Sequence, residues 1–372
     1  MPDNIVIKEV ISKRDVDVFI NIPFHIYKDD SIYVHELMRD LRVHFSVKNP
    51  FFLNSDVKFH IAYKDGLPAG RIASIINKNH LEFHRDSTGF FGLFESVNDP
   101  EVACRLVDQA ASDLKKASLK KMIGPMNMST NEQCGFLAEG VDIHPMLMTP
   151  YNPYYYNDLM LKCGLAKSRD LLAFLHQLRP ELPDKIQRVA AIAEKKGYTS
   201  RYISKKNFLR DMMIFKEVYN AAWHDNWCFV PITDEELIYS AGRLKQIVVP
   251  EFVSIIEKNG DPVGFFGMVP DFNEVLKHMK GRLNPITLIK ALQHSRKISG
   301  LRIMLLGVKP EHRNRGVEAL MFRECNRFIN QKQYKQVEFS WILEENQPVI
   351  NITEMIGSKL YKKFRMYEKE LN

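Results

Sequence analysis

No stretch of this sequence approaches the ~18–20 consecutive apolar residues that a membrane helix requires, although 45% of its 372 residues are apolar. The N-terminus, MPDNIVIKEVISKRD, mixes charged and apolar side chains early. It lacks the apolar core and small-residue cleavage site of a secretory leader. A cytoplasmic location and no membrane partner are therefore expected. Cysteine is scarce: the five are Cys104, Cys134, Cys163, Cys228 and Cys325, with no C-x-x-C pair. An odd number at irregular spacing argues against a disulfide framework or a structural zinc site, and reduced, mostly buried thiols are expected. The histidines offer no H-E-x-x-H. His80 and His84 stand four apart on a short polar stretch with no evident third ligand, so no metal is expected. Low-complexity tracts are missing too, as is any arginine-rich patch interleaved with aromatics of the kind that marks a nucleic-acid surface.

What remains is an ordinary globular composition, long enough for two domains rather than one. The formal charge is +7, which suits an anionic ligand without identifying it. The densest basic stretch, Lys115, Lys116, Lys120 and Lys121, reads as a solvated helix face.

An internal echo organises the chain. Residues 64–70 read KDGLPAG and residues 258–264 read KNGDPVG, 194 residues apart. Each motif lies between two strand-like runs, and Asp-Gly or Asn-Gly at that place is a strong hairpin signal, because these residues accept the positive φ of a tight turn. A repeat at about half the chain length suggests duplication of a whole domain. The surroundings agree. A strand and helical stretches precede the first hairpin (5–10, 15–24 and 34–45). After it come a strand at 89–97, an amphipathic helix opened by Asp99 and Pro100, and a strand at 121–123. The second half repeats the order, with an inserted helical stretch at 271–299 interrupted at Pro285, a strand at 301–308, a helix at 317–330 and a strand at 336–343. Two prolines break the periodicity near 178–184, and a connecting helix at 186–196 ends on Gly197. The expected domains are 1–180 and 181–372.

The segment that carries chemistry is VKPEHRNRGVEALM, residues 308–321. A strand runs through a loop holding Arg313, Arg315 and Gly316 into an amphipathic helix. The first amides of that helix have no partners inside it and carry the positive end of its dipole. Glycine admits a ligand close to the backbone. Such a junction suits a pyrophosphate.

This stretch resembles the acetyl-CoA signature of the GNAT (Gcn5-related N-acetyltransferase) superfamily, V-x-P-x-x-R-x-x-G-x-G/A, with Val308, Pro310, Arg313 and Gly316 in register. The resemblance implies an α/β (α+β) fold of two tandem GNAT-like domains, each a mixed, mostly antiparallel sheet flanked by helices. It also implies that acetyl-CoA or another acyl-CoA is bound as co-substrate along Leu306, Gly307 and Val308 and around Arg313, Asn314, Arg315, Gly316, Val317, Glu318 and Ala319. Glu318 departs from the pattern: a small residue is usual there, and a carboxylate opposes pyrophosphate unless it turns outward. The tail is similar to the family's closing pattern, with Asn346 before a helix and then Lys359-Leu360-Tyr361-Lys362. Tyr361 matches the tyrosine that protonates the departing thiolate in many members, and Arg365 stands where a glycine is usual. Glu338, on VEFSWI, is the candidate general base. The N-terminal half lacks the signature, and Met160 matches Tyr361 in position. Its loop from Gly124 to Tyr156 is rich in aromatics and glycine and suits a binding surface.

Three functions follow from these residues. The first is acyl-CoA-dependent N-acylation of a small-molecule or peptide amine. The second is aminoacyl-tRNA-dependent transfer, since the tandem arrangement is similar to the Fem peptidyltransferases and to N-myristoyltransferase. The third is a binding protein without catalysis.

Overall fold

The computed structural model describes residues 4–179, 181–329 and 334–372. Along the first half run β1 (Ile5–Glu9), α1 (Lys13–Ile26), α2 (Met38–His44), β2 (Ser55–Lys64), β3 (Leu67–Asn77), α3 (Lys78–His84), β4 (Thr88–Ser96), α4 (Pro100–Lys116), β5 (Lys121–Gly124), β6 (Phe136–Glu139), α5 (Tyr155–Lys162) and β7 (Ala166–Gln177). The second half contributes α6 (Asp184–Lys195), β8 (Tyr198–Tyr202), α7 (Phe208–Ala222), α8 (Asp234–Leu244), β9 (Val253–Lys258), β10 (Asp261–Pro270), α9 (Asn273–Leu276), α10 (Pro285–Ser295), β11 (Gly300–Val308), α11 (Val317–Ile329), β12 (Gln336–Leu343), α12 (Gln347–Met355) and β13 (Lys359–Glu370).

Two compact units result. One gathers the described residues up to Leu172 with Leu276–Ala291 and Lys362–Asn372, and the other holds Ala173–Val275 and Leu292–Tyr361. Each unit thus includes the end of a strand that begins in the other. Within the first, β1-β2-β3-β4 pair antiparallel and β4-β5 parallel, with β13 beyond β5 and β6 on β13. Within the second, β8-β9-β10-β11 pair antiparallel and β11-β12 parallel. The two series are the same fold written twice.

The echoed motif explains itself in the backbone. Asp65 and Gly66 have φ of 51° and 81°, and Asn259 and Gly260 have φ of 54° and 88°. These are the paired positive values of a two-residue hairpin turn. The proline and second glycine of each motif also repeat a structural job. Register slips by one residue between Pro68 and Gly70 and again between Pro262 and Gly264, leaving Ala69 and Val263 as bulges. A Cβ on Gly70 would lie 2.8 Å from Leu106 Cδ1 of α4, and one on Gly264 would lie 2.5 Å from Met321 Cε of α11. Glycine therefore lets one helix seat on each hairpin.

Helix α4 forms as its sequence dictates. Asp99 Oδ1 accepts from the Glu101 N–H at 2.9 Å, Pro100 opens the helix, and Val102, Leu106, Val107, Ala110 and Leu114 are buried on one face. Helix α2 is shorter than expected, Met38–His44 rather than 34–45. Asp30 Oδ1 collects the Ile32 and Tyr33 amides at 2.8 and 3.2 Å, so the preceding chain turns instead of coiling. Pro285 does not interrupt a helix; it is the first residue of α10.

The expectation of reduced thiols is corrected for one pair. Cys104 on α4 and Cys163 at the end of α5 are joined in a disulfide, with Cα atoms 4.9 Å apart. Nothing in a separation of 59 residues announces it; the packing of α5 along α4 brings the two together. Cys134, Cys228 and Cys325 are buried and form no disulfide. Because the bond closes a long loop, Cys104→Ser should lower unfolding stability by about 2–4 kcal/mol. Urea titration of wild type and variant, with and without reductant, checks this: added reductant should weaken the wild type and leave the variant unmoved.

Candidate active site

Strand β11 carries one extra residue against β10: Gly267 faces Leu305 and Met268 faces Ile303, so Met304 bulges. Its parallel ladder with β12 runs from Gly300–Gln336 to Ile303–Phe339 and, among the described residues, ends there. Beyond Ile303 the two strands part, and the residues from Met304 to Leu306 are half-buried rather than buried. An opened parallel edge presents unpaired N–H and C=O groups that an extended chain can join as a further strand would.

At the end of β11, Gly307 is covered by the Trp223 ring: a Cβ there would lie 2.1 Å from Trp223 Cζ3. Val308 is buried. The loop that follows is shaped by two positive φ values, 59° at Asn314 and 88° at Gly316. Arg313 turns back over the strand end, donating from Nη2 to the Ala222 carbonyl (2.7 Å) and from Nε to that of Val308 (3.3 Å). Arg315 is exposed, Val317 is fully buried, and Ala319 is half-buried. Glu318 does not turn outward. It is half-buried in the first turn of α11, and burial pushes its carboxyl above the usual range, opposed by its own backbone amide and by the Arg313 charge. Asn346 serves locally, accepting from the Val349 N–H at 3.4 Å to cap α12.

The two residues proposed for acid–base work meet. Tyr361, at the start of β13, donates its hydroxyl proton to Glu338 Oε2 on β12. Glu338 is fully buried. Its other oxygen accepts from the Ser340 hydroxyl and lies 3.4 Å from Arg302 Nε of β11. Arg302 Nε also donates to Ser340 Oγ at 2.9 Å and stacks over Trp341 at 5.0 Å. Burial and the Glu338 charge hold the Tyr361 proton well above the ordinary phenol range, with Asp271 adding to the effect. Sequence reasoning missed Arg302, Ser340 and Asp271. The available signal was a lone cation in the otherwise apolar LRIMLLGV, which can be buried only beside a counter-charge.

Alternation along the strands puts Val337, Phe339 and Ile303 on the face opposite Glu338 and Arg302. There they line a cavity of about 430 Å³ with Phe266, Met268 and Phe322, and His176, Arg179 and Asp184 also contribute to its wall.

The first half repeats this architecture with the opening filled. Its parallel ladder ends at Phe90–Ile123. Past that point the Met126 N–H bonds to the Phe91 carbonyl (2.8 Å), and Asn127 Oδ1 accepts from the Leu93 N–H (2.7 Å). The helix terminus corresponding to that of α11 is occupied by Asp99. Met160 is not the counterpart of Tyr361: it is buried inside α5. Matching the positive-φ glycines that end α5 and α12, Gly164 and Gly357, pairs Tyr361 with Ser168, whose hydroxyl donates to Glu368 (2.7 Å). Arg365 makes a two-point ion pair with Asp170 (2.8 and 3.0 Å), which no glycine could supply.

A duplicated sheet with a bulged strand, a parted parallel neighbour and a glycine loop opening a helix defines the tandem GNAT fold. The solved structures agree. The chain aligns over 99% of its length, and 99% of theirs, with a tandem GNAT protein from the clavulanic acid biosynthesis pathway (TM-score 0.57, 10% identity). It aligns over 100% of its length, and 97% of theirs, with a GCN5-related N-acetyltransferase from Sphaerobacter thermophilus (TM-score 0.53, 12% identity). At such identities the likeness is one of fold. No family model matches the sequence. Among curated proteins it is 32% identical to protein YghO of Escherichia coli over 98% of this chain and 95% of that protein. It is 30% identical to the bacterial ceramide synthase of Caulobacter vibrioides over 95% of this chain and 94% of that enzyme. The chain belongs to the family of these two proteins.

Proposed function

We propose that this protein is an acyl-CoA-dependent N-acyltransferase whose acceptor is the amine of a long-chain lipid. The observation that carries the proposal is the parting of β11 from β12 beside the Asn314–Gly316 loop. It offers an open strand edge to an extended thioester arm and a helix terminus to its pyrophosphate. Arg313, Arg315 and the first amides of α11 would hold the phosphates. The backbone of Met304–Leu306, on the parted edge, would supply the amide that stabilises the oxyanion.

The amine nitrogen attacks the thioester carbonyl, the N–C bond forms and the C–S bond breaks. The proton shed by nitrogen passes to Glu338. Tyr361 gives its proton to the thiolate and is replenished from Glu338, so the relay closes on the products, an amide and a free thiol. The lipid acceptor is supported by the family tie to a ceramide synthase, since a ceramide is the N-acyl amide of a long-chain amino alcohol.

Calorimetry with acetyl-CoA and with a long-chain acyl-CoA tests the first half of the proposal. Micromolar binding is expected for wild type, weakened about tenfold or more in Arg313→Ala if that side chain neutralises a phosphate. Mass spectrometry of a reaction with acyl-CoA and a long-chain amino alcohol tests the second. A folded wild-type protein that binds neither acyl-CoA would sink the proposal.

A further inference from the structure

Helix α10 is built inside out. Its eleven residues, PITLIKALQHS, include no buried one. Ile286 is 68% exposed, Leu288 52%, Ile289 58% and Leu292 63%. Helical spacing puts Leu288, Ile289 and Leu292 on one arc with Ile286 at its edge. The residues half-covered by the protein are instead Thr287, Ala291, His294 and Ser295. The small and polar face therefore packs inward and the aliphatic face points to solvent, the reverse of an ordinary surface helix. Leu283, just ahead of the helix, is also 47% exposed.

The helix does not depend on burial to form. Asn284 Oδ1 accepts from the Thr287 N–H (3.0 Å) while Thr287 Oγ1 accepts from the Asn284 N–H (2.9 Å), and Pro285 opens the first turn. A locally capped helix with its aliphatic face outward is a stable platform for something apolar.

Charge says what that something is. Between Glu274 and Glu311 the sequence holds no aspartate or glutamate. Across 276–299 it holds Lys277, Lys280, Arg282, Lys290, Arg296 and Lys297. Of these, Lys280, Arg282, Lys290, Arg296 and Lys297 are exposed. An aliphatic helix face with exposed cations ahead of it, within it and after it along the chain fits the headgroup–acyl boundary of an anionic bilayer.

We infer that α10 and its flanks dock the protein onto an anionic membrane surface, lying in the interface rather than crossing it. No helix among the described residues is long and apolar enough to span. It departs from the expectation of no membrane partner, and the vesicle experiment decides between the two. It stands apart from the acyl-transfer reading, because vesicle binding requires no turnover, but it would bring the protein to where a lipid amine resides.

Flotation with full-length protein and vesicles of phosphatidylcholine, with and without phosphatidylglycerol, tests it. Wild type should float with the phosphatidylglycerol vesicles, and partitioning should fall about tenfold or more in Ile289→Glu/Leu292→Glu. These residues are already exposed, so the melting temperature should not move. Arg282→Glu/Lys297→Glu leaves the aliphatic face intact and should lose only the preference for phosphatidylglycerol. Wild type that remains with the soluble fraction, or a double glutamate variant that floats unchanged, overturns the inference. So does a wild-type dimer in analytical ultracentrifugation that Ile289→Glu/Leu292→Glu converts to monomer, which would assign the face to a second copy.

Discussion

Glu338→Gln is expected to lower kcat/KM for acyl transfer by about 10²–10⁴, the range a positioned acid–base group contributes, and to cost about 3–5 kcal/mol of stability. Both effects have one cause. Arg302 and Glu338 are 3% and 0% exposed, so neither charge is tolerated without the other. The amide keeps the shape of the carboxyl and can still accept one hydrogen bond, but it leaves the guanidinium uncompensated. The two roles separate experimentally. Replacing both partners by apolar residues of similar volume, Arg302→Met with Glu338→Leu, removes the buried charges together and should restore most of the stability. It should restore none of the turnover. Tyr361→Phe removes one hydroxyl and should cost only about 1 kcal/mol while lowering kcat more than it alters KM. Wild-type turnover in Glu338→Gln with an unchanged melt would remove this cluster from the reaction.

The sequence made the hairpins, the duplicated order of elements and the Arg-Gly loop legible because each is a local event. Positive φ at Asp65-Gly66 and Asn259-Gly260, the Asp99 cap and the amphipathic faces of α4 and α11 are decided within a few residues of chain. What stayed hidden is non-local. The Glu338–Arg302 pair joins two strands across 36 positions. Cys104 and Cys163 meet only once two helices pack. Strand β13 gives Lys359–Tyr361 to one unit and Lys362–Glu370 to the other, a sharing that no local pattern announces. Helix α10 escaped for a different reason. Its periodicity is that of any amphipathic helix, and only the structure reveals which side faces the protein. The filled opening of the first half was half legible: the missing arginine–glycine loop was plain, but not that Asn127 bonds to the Leu93 amide past the end of the parallel ladder while Asp99 caps the helix that corresponds to α11.

Glu318→Gln should tighten acyl-CoA binding at neutral pH by about tenfold, corresponding to ~1.4 kcal/mol. The second residue of α11 lies where the helix dipole and free amides favour an anion, and here the protein places its own carboxyl there, half-buried. Burial raises that carboxyl's pKa. The native protein therefore holds a proton that the unfolded chain has released, and stability declines as pH rises from the unfolded value through the native one. Affinity for a pyrophosphate follows the same direction. Where Glu318 is protonated, wild type and Glu318→Gln should bind alike. As pH rises and the carboxyl ionises, wild type should weaken relative to the variant, whose pH dependence then reports only the ligand's own titration. Two calorimetric titrations at acidic and neutral pH, each on both proteins, give the comparison. If Glu318→Gln binds no more tightly than wild type at neutral pH, the carboxyl does not face the phosphates, and the pyrophosphate must be sought on the Arg315 side of the loop.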